Sequence, residues 1–187
     1  GGKANQYYLR GFNLDHGTDF AIFIDDMPLN LPSHAHGEGY SDMNTVIPEF
    51  VKRVNFEKGP YYGNVGNYGS AGSAHLEYIR TLEKNFAKVE GGTYGYGRAV
   101  FGASHKLGPG SLLGGAEVYY DNGPWVHPDD YKKANAMLRW STSSAKGHFN
   151  ATAWAYRGDF HSSDQVPERL IDAGTLSRFG AVNPCDG

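Results

Sequence analysis

The sequence YYLRGFNLDHGTDFAIFIDDMP at residues 7–28, together with VIPEFVKRVNFEKGP at residues 46–60, decides the fold of the first part of the chain. It contains three short apolar runs: residues 7–12, 20–24 and 51–56. Each run ends at glycine, proline or aspartate residues, and this pattern predicts strands joined by tight turns. The sequence therefore predicts the sheet of a small α/β domain that occupies residues 1–80.

Three further features belong to this predicted domain. A short helix is expected at residues 47–53, because a proline suits its first turn and Glu49 suits its positive N-terminal end. Asp25 and Asp26 follow the second apolar run, and adjacent residues on a strand point to opposite faces, so a turn is favoured over a working pair of carboxylates. The glycine-rich residues 61–74 lack the GK[ST] ending of a phosphate-binding loop and are expected to be backbone packed closely between strands.

Composition excludes several classes of protein. The 187-residue chain has a net charge of −3, and no cluster of lysine and arginine offers a phosphate-binding face, so no nucleic-acid partner is expected. No run approaches the roughly 20 apolar residues that a membrane-spanning helix needs. The single cysteine, Cys185, excludes an intrachain disulfide and gives no sign of a cysteine-ligated metal. Without a starting methionine or a secretory segment, the sequence is interpreted as an internal piece of a longer protein.

From residue 81 onward, apolar and polar residues alternate. The alternating segments are residues 82–91, 97–105, 111–121, 131–141 and 148–160. In the fourth of these, Ala134, Ala136, Leu138 and Trp140 alternate with Lys133, Asn135, Arg139 and Ser141. About ten residues is the length of a tilted strand that crosses a bilayer. The same alternation is found in a soluble antiparallel sandwich, and periodicity alone favours that commoner class.

The connections between these segments alternate in size. Residues 107–110 and 143–147 are short, whereas residues 122–130 and the part after residue 161 are long. Short turns at one end and long loops at the other are typical of outer-membrane barrels. This arrangement predicts that the long connections, with Trp125 and His127, lie together at one end of the sheet.

Residues 30–40, NLPSHAHGEGY, are too polar and glycine-rich for a core element. His34, His36, Glu38 and Tyr40 follow one another at a spacing of two, which in an extended loop points all four side chains the same way. Two histidines and a carboxylate could ligate a divalent metal. A solvated loop that hydrogen-bonds to itself is the alternative.

Several ordered motifs in the first eighty residues together resemble the plug domain of TonB-dependent outer-membrane receptors. They are Tyr8-Leu9-Arg10-Gly11, Ile24-Asp25-Asp26-Met27-Pro28, Ile47-Pro48-Glu49, the Val-x-x-Val-x-Phe run at residues 51–56, Lys58-Gly59-Pro60 and a Gly/Ser/Ala segment that leads to Tyr78. The resemblance implies a mainly β protein, with a small α/β plug domain followed by the first antiparallel strands of an incomplete transmembrane β-barrel. Residues 81–187 are then expected to supply about five strands of the barrel wall, with long outer loops.

The resemblance also implies roles for individual residues. The positions that match structural or coupling residues of the plug are Arg10, Gly11, Asp25, Lys58, Gly59 and Pro60. For Arg10, a solvated surface arginine is the alternative. In this family the plug apices face the extracellular mouth and contribute to the ligand pocket. The implied ligand-contact residues are Asp15, His16, His34, His36, Glu38 and Tyr40, with Trp125 and His127 from a long loop.

The function implied by the resemblance is active, TonB-dependent uptake of a scarce ligand across the outer membrane of a Gram-negative bacterium. The ligand is expected to be an iron siderophore, cobalamin, another metal complex or a glycan. The implied partners are the TonB energy-coupling complex, through a segment that precedes this chain, and outer-membrane lipid. A secreted, soluble β domain that binds glycan or metal is the alternative. The sequence has no GxSxG or HExxH motif, so no enzyme is expected, and it indicates no cofactor.

Overall fold

The protein has two compact units, Gly1–Thr81 and Leu82–Gly187. The computed structural model describes residues 5–14, 17–35, 37–162 and 166–182. Strands are the main regular secondary structure of both units, which confirms the predicted mainly β fold class. Within the described ranges, no helix has the length and apolar content needed to cross a membrane.

The first unit contains a four-stranded sheet and a separate two-stranded hairpin. Its strands are β1 (Tyr8–Leu9), β2 (Phe12–Asn13), β3 (Phe20–Ile24), β4 (Met27–Pro28), β5 (Val51–Lys58) and β6 (Gly72–Tyr78). The sheet order is β4-β3-β6-β5, and β3 runs parallel to β6 while the other neighbours are antiparallel. The core lies on one face of this sheet, where Ile22, Phe50 and Tyr78 are at most 1% exposed.

The first apolar run forms a hairpin, so the prediction of one strand over residues 7–12 is wrong. β1 pairs with β2 through Leu9 and Phe12. Between them the chain reverses at Arg10 and Gly11, whose φ angles are +52° and +83°. Two successive left-handed residues make the tight turn whose twist matches a hairpin. The sequence did not reveal this turn, because arginine rarely takes the left-handed conformation.

The predicted turn at Asp25 and Asp26 is confirmed. Their φ angles are +47° and +68°, and the turn joins β3 to β4 through the pairing of Ile24 with Met27. Aspartate tolerates this conformation, because its short side chain can hydrogen-bond locally. The Asp25 carboxylate accepts a hydrogen bond from the Tyr78 backbone N–H at 3.1 Å, so the turn is fixed to the end of β6.

The helix predicted over residues 47–53 is only a single 3-10 turn, Pro48–Phe50. The Val51 N–H closes this turn on the Pro48 carbonyl, and Val51 already begins β5. Valine loses side-chain freedom in a helix and packs well on a sheet. Pairing with β6 therefore decides the conformation after Phe50. A second 3-10 helix, Met43–Thr45, is capped by Asp42.

Residues 61–74 differ from the prediction at their C-terminal end, because Gly72–Tyr78 forms the central strand β6. β6 lies between β3 and β5. At Gly72 the backbone passes so close to β5 that a Cβ atom would lie 2.4 Å from the Glu57 carbonyl oxygen. Glycine therefore allows the two strands to approach, and the same glycine and serine residues hide the strand from propensity-based prediction.

The second unit is a five-stranded antiparallel sheet. Its strands are β7 (Phe86–Gly91), β8 (Gly97–Leu107), β9 (Gly110–Asp121), β10 (Tyr131–Ser144) and β11 (Gly147–Asp159). They are arranged in sequence order, each paired with the next. All five predicted segments contain a strand, although the first begins at Phe86 and not at residue 82.

The predicted connection sizes are also confirmed. Two-residue turns, residues 108–109 and 145–146, lie at one end of the sheet, whereas residues 92–96 and 122–130 connect strands at the other end. After β11 the chain forms a short helix, α1 (Glu168–Asp172), which the sequence did not predict. The end of the sheet that carries the long connections therefore also carries this helix-containing segment.

Candidate functional site

Residues 31–40, called the histidine loop below, form a closed loop. Leu31 and Tyr40 form a β-bridge, and the Leu31 N–H donates to the Tyr40 carbonyl at 2.8 Å. Because the loop turns back on itself, the prediction that its alternate side chains point the same way is wrong. Tyr40 is only 8% exposed, whereas Glu38 is exposed. His34 stacks on Tyr40, with ring centroids 4.1 Å apart and planes 9° apart, so these two predicted residues are brought together.

Three of the predicted ligand-contact residues, Asp15, His16 and His36, lie outside the described residues. The hypothesis of a metal site needs His36 together with His34 and Glu38. Within the ranges that the structure describes, no group of three or more His, Cys, Asp or Glu side chains is arranged to hold a metal ion. The metal site therefore stays a prediction, and the stacked His34 and Tyr40 rings are the part of the loop whose geometry is defined.

Asn30, which the sequence analysis did not single out, holds the base of the histidine loop. Its side chain is buried, with 4% exposure. Its Oδ1 accepts a hydrogen bond from the Ile22 N–H at 2.8 Å. Its Nδ2 lies 2.9 Å from the Gly17 carbonyl oxygen, 3.0 Å from that of Gly39 and 3.1 Å from that of Phe20. One side chain thus contacts β3, the bend before it and the histidine loop.

Arg10 and Gly11 lie at the tip of the β1–β2 hairpin, and the Arg10 side chain is exposed. Arg10 is therefore not on an interior strand. The hairpin borders a shallow pocket of about 380 Å³, lined by Leu9, Arg10, Phe12, Asn13, Leu14, Asp19 and Ala71. Asp19 is held in place, because its carboxylate accepts a hydrogen bond from Ser70 and its carbonyl accepts from the Ala71 N–H. The pocket thus combines apolar walls with one cation and one carboxylate.

Lys58, Gly59 and Pro60 end β5. Lys58 pairs with Gly72 at the start of β6, and the Gly59 N–H donates to the Ala71 carbonyl at 2.7 Å. Gly59 has a φ of +84°, which glycine adopts without steric cost. This motif fixes the edge strand to the central strand, and its coupling role stays a prediction.

An exposed ion pair lies further along the same two strands. The Lys52 ammonium is 2.9 Å from the Glu77 carboxylate, and Arg53 also contacts it. The hydrogen bond from Lys52, followed by the nearby charge of Arg53, lowers the pKa of Glu77. Water screens such a pair, so it adds little to stability.

Residues 122–130, called the tryptophan loop below, dock against the segment that follows β11. The Val126 N–H donates to the Phe179 carbonyl at 2.8 Å. The Trp125 ring packs edge-on against the Phe179 ring, with centroids 5.9 Å apart. Trp125 is 37% exposed, so the two rings form a partly exposed aromatic pair. Sequence spacing could not have found Phe179, because more than fifty residues separate the partners.

The tryptophan loop also contains two titratable side chains, His127 and Asp130. His127 Nε2 is buried and has no hydrogen-bond partner among the described residues. The Asp130 carboxylate accepts a hydrogen bond from Lys132 at 2.8 Å, and this bond lowers the pKa of Asp130. Because its pKa is lowered, the Asp130 carboxylate stays ionised at a lower pH than an ordinary aspartate. The tryptophan loop therefore combines this carboxylate with an aromatic pair and a histidine.

Four polar side chains on one face of the second sheet form the Glu117 cluster: Arg98, Glu117, Lys133 and Asn135. The Glu117 carboxylate lies 2.6 Å from Arg98 Nε and 2.8 Å from Lys133 Nζ, and it accepts a hydrogen bond from Asn135 at 3.1 Å. Its side chain is 1% exposed. A buried carboxylate is tolerated when cations and hydrogen bonds satisfy it. Lys133 and Asn135 were predicted on a polar face, and the pairing of Glu117 with Arg98 was not.

The Glu117 cluster continues towards the end of the sheet with the long loops. Arg98 also contacts Glu90 at 3.3 Å, and the Tyr96 hydroxyl donates to the same carboxylate at 2.6 Å. This hydrogen bond raises the pKa of Tyr96. Lys133 lies 5.0 Å from the centre of the Tyr119 ring. Polar contacts therefore link four neighbouring strands, β7 to β10, to the loop at residues 92–96.

The opposite face of the same strands, called the outward face below, is apolar and exposed. The exposed fractions are 86% for Val89, 54% for Phe101, 57% for Val118 and 52% for Leu138. Ala136 lies among them, paired with alanines on both neighbouring strands. A large exposed apolar patch marks an interaction surface, and the lipid-facing side of an outer-membrane barrel has this composition.

Aromatic and charged residues lie near both ends of the outward face. Trp140 and Phe149, whose ring centroids are 6.0 Å apart, lie towards the short turns. Tyr120 pairs with Lys132 towards the long loops. Aromatic girdles flank the apolar band of membrane barrels in the same way. A soluble sandwich would instead bury this face against a second sheet, and the exposure of Ala134, Ala136 and Leu138 does not support that alternative.

Comparison with known proteins points to the same architecture. Residues 1–73 match the family model described as the TonB-dependent receptor plug domain. The solved structure of the pyoverdine outer membrane receptor FpvA from Pseudomonas aeruginosa PAO1, bound to pyoverdine, is similar with a TM-score of 0.58 and 16% sequence identity. The match covers 83% of this chain and 22% of that receptor. At this identity the likeness establishes the fold. A comparison with functionally curated proteins gave no significant match.

Proposed function

We propose, from the match of residues 1–73 to the family model of the TonB-dependent receptor plug domain, that this chain is part of a receptor that takes up a scarce ligand by TonB-dependent transport. Proteins of this family lie in the outer membrane of Gram-negative bacteria, and they are receptors and transporters and not enzymes. The single observation that carries the proposal is the plug domain followed by a sheet whose apolar face is exposed.

The two faces of the second sheet support transport across a membrane. On β10, Ala136 and Leu138 are exposed, whereas Asn135 and Arg139, which flank them in the sequence, are 3% and 2% exposed. Ala136 and Leu138 are expected to contact lipid, whereas Asn135 and Arg139 are expected to face the polar interior of a barrel. Outer-membrane lipid is therefore one proposed partner. The TonB complex is another, and its contact is proposed to lie in a segment that precedes this chain.

The proposed ligand is a small molecule or a metal chelate, of the class of iron siderophores, cobalamin, other metal complexes or glycans. The support comes from paired aromatic rings in two candidate regions: half-buried His34 stacked on buried Tyr40, and the partly exposed Trp125–Phe179 pair. Aromatic rings combined with a few polar groups are typical of small-molecule sites. The proposed contact residues are His34, Glu38, Tyr40, Trp125 and His127, together with Asp15, His16 and His36.

Uptake by the full-length receptor tests this proposal. The receptor is expressed in a Gram-negative strain that lacks its own uptake systems, and growth is measured with ferric siderophores, cobalamin and oligosaccharides as separate probes. We expect one probe to support growth only when TonB is present. Growth that does not require TonB, or a receptor that fractionates with soluble proteins, contradicts the proposal.

A matched pair of substitutions tests the site. Trp125→Ala removes one ring of the exposed pair and should reduce uptake of the active probe, because the aromatic contact is lost. Trp140→Ala makes the same change at the opposite end of the sheet and should leave uptake per assembled receptor unchanged. Equal uptake by both variants contradicts a role for the tryptophan loop in ligand contact.

A further inference from the structure

We infer that Asn30 is a positioning residue that joins two segments of the first unit, residues 17–19 and the histidine loop, so that they move as one body. Residues 17–19 are called the Gly17 bend below. The inference rests on the proposed function only for its consequence, since both segments belong to the region proposed to contact the ligand.

The chemistry of the Asn30 side chain suits this role. The amide offers both an acceptor and two donor hydrogens. The acceptor is used by the Ile22 N–H at 2.8 Å. The donors face carbonyl oxygens from both segments, Gly17 at 2.9 Å and Gly39 at 3.0 Å. An aspartate of the same size would place a carboxylate against these carbonyl oxygens and would have no hydrogen to donate.

The backbones of the two segments also touch directly. Gly17 and Gly39 have φ angles of +70° and +75°. A Cβ atom on Gly17 would lie 2.0 Å from the Gly39 carbonyl oxygen, and one on Gly39 would lie 2.8 Å from the Gly17 carbonyl oxygen. No side chain separates the segments at this point. Neither segment can therefore shift towards the other, and Asn30 keeps them from separating.

Hydrogen bonds also connect the two segments to the sheet of the first unit. The Gly39 N–H donates to the Leu31 carbonyl at 2.8 Å, which closes the histidine loop immediately after Asn30. Through the Ile22 N–H, Asn30 is attached to β3, which pairs with the central strand β6. A ligand that displaces the histidine loop would therefore also pull on the Gly17 bend and on β3. Hydrogen bonds of this kind can carry coupling between segments, and here they connect the histidine loop, the Gly17 bend and β3.

Hydrogen exchange of the full-length receptor in detergent, without ligand, tests the inference. In Asn30→Asp, peptides from residues 17–24 and 31–40 should both lose protection, by about tenfold to a hundredfold, because buried groups are left unpaired. Asn55→Asp makes the same change on the exposed face of β5 and should leave both peptides unchanged. This control removes the general effect of a new carboxylate.

Gly17→Ala provides the cross-test, because it leaves the Asn30 side chain intact. The new methyl group displaces the Gly39 carbonyl, so the 31–40 peptide should exchange faster although the substitution lies in the other segment. Gly66→Ala is its matched control, because Gly66 has a similar φ of +78° and a Cβ atom there meets nothing within 4 Å. If Asn30→Asp does not assemble, Gly17→Ala together with the shorter Asn30→Ser decides the question.

Three results would overturn the inference. The first is a response of only one peptide to the Asn30 variants. The second is an unchanged 31–40 peptide in Gly17→Ala. The third is an equal loss of protection throughout the first unit, which would make Asn30 a support of the whole fold and not a joint between two segments. Because the measurement uses neither ligand nor TonB, its outcome is independent of the uptake test.

Discussion

Ala136→Arg tests whether the outward face of the second unit contacts lipid. Along β10, Ala136 lies four residues from Lys132 at the loop end and four residues from Trp140 towards the short turns. With a rise of about 3.3 Å per residue and a strand tilt of about 40°, each of these residues is about 10 Å from Ala136 along the membrane normal. Ala136 therefore lies near the middle of the apolar band.

The size of the effect separates a lipid environment from water. An arginine at the bilayer midplane of a barrel costs about 2–4 kcal/mol, and the cost falls to about 0–1 kcal/mol near the interface. The residues paired with Ala136 are Ala116 and Ala155, so no carboxylate is opposite to compensate the new charge. On a water-exposed surface the same substitution would change the free energy of unfolding by only about 0.5 kcal/mol.

The assay is reversible folding of the full-length receptor into phospholipid vesicles, followed by denaturant titration. Ala145→Arg is the matched control, because Ala145 is exposed in a two-residue turn at the end of the sheet. We expect Ala136→Arg to lower the free energy of unfolding by about 2–4 kcal/mol and the control to change it by less than about 1 kcal/mol. Equal effects of the two substitutions would refute the assignment of the outward face to lipid.

Two further predictions concern buried groups. Glu117→Ala leaves two mostly buried cations without their carboxylate and should lower the free energy of unfolding by about 3–5 kcal/mol. Glu77→Ala should have a much smaller effect, because its ion pair is exposed, and equal losses would contradict the pairing described for Glu117. Burial raises the pKa of Tyr7 from 10.0 to about 12, so its contribution to stability is complete below pH 10 and is lost as the pH rises towards 12. Tyr7→Phe should therefore flatten the pH dependence of the unfolding free energy in this window, and an unchanged slope would show that another group titrates.

The sequence predicts more of the fold of the second unit than of the first, and the reason is physical. In the second unit the two faces of each strand lie in different environments, so apolar and polar side chains alternate along the sequence. This alternation predicts the strand segments and the face on which each side chain lies, and the spacing between segments predicts the connection sizes. In the first unit, β6 consists partly of Gly, Ser and Ala, and it becomes a strand because β3 and β5 pair with it. Sequence propensity does not contain that pairing, so the central strand was not predicted.

The candidate site shows the same limit more sharply. A spacing of two predicts a shared direction only while the backbone is extended. The bridge between Leu31 and Tyr40 closes the histidine loop, and the Tyr40 side chain is buried in the core. Asn30 and Phe179 act through contacts with residues distant in the chain, and a polar residue near a proline or an aromatic residue in a loop gives no local sign of such a contact. The residue types therefore predicted which region forms the candidate site, but they could not predict the geometry of that site.

The distribution of burial on β10 argues against a water-soluble sheet more strongly than the alternation itself. Alternation only states that two faces differ, and a soluble sandwich buries the apolar one. Here Asn135, Met137, Arg139 and Ser141 on one face are at most 4% exposed, while Ala136 and Leu138 on the other face are exposed. In water it is unfavourable to expose an apolar face while charged side chains such as Arg139 are buried on the other face. In a bilayer the same arrangement is favourable, because lipid solvates the apolar face and the polar groups pair with each other. The proposed membrane environment therefore accounts for this distribution of burial, which the strand pattern alone does not.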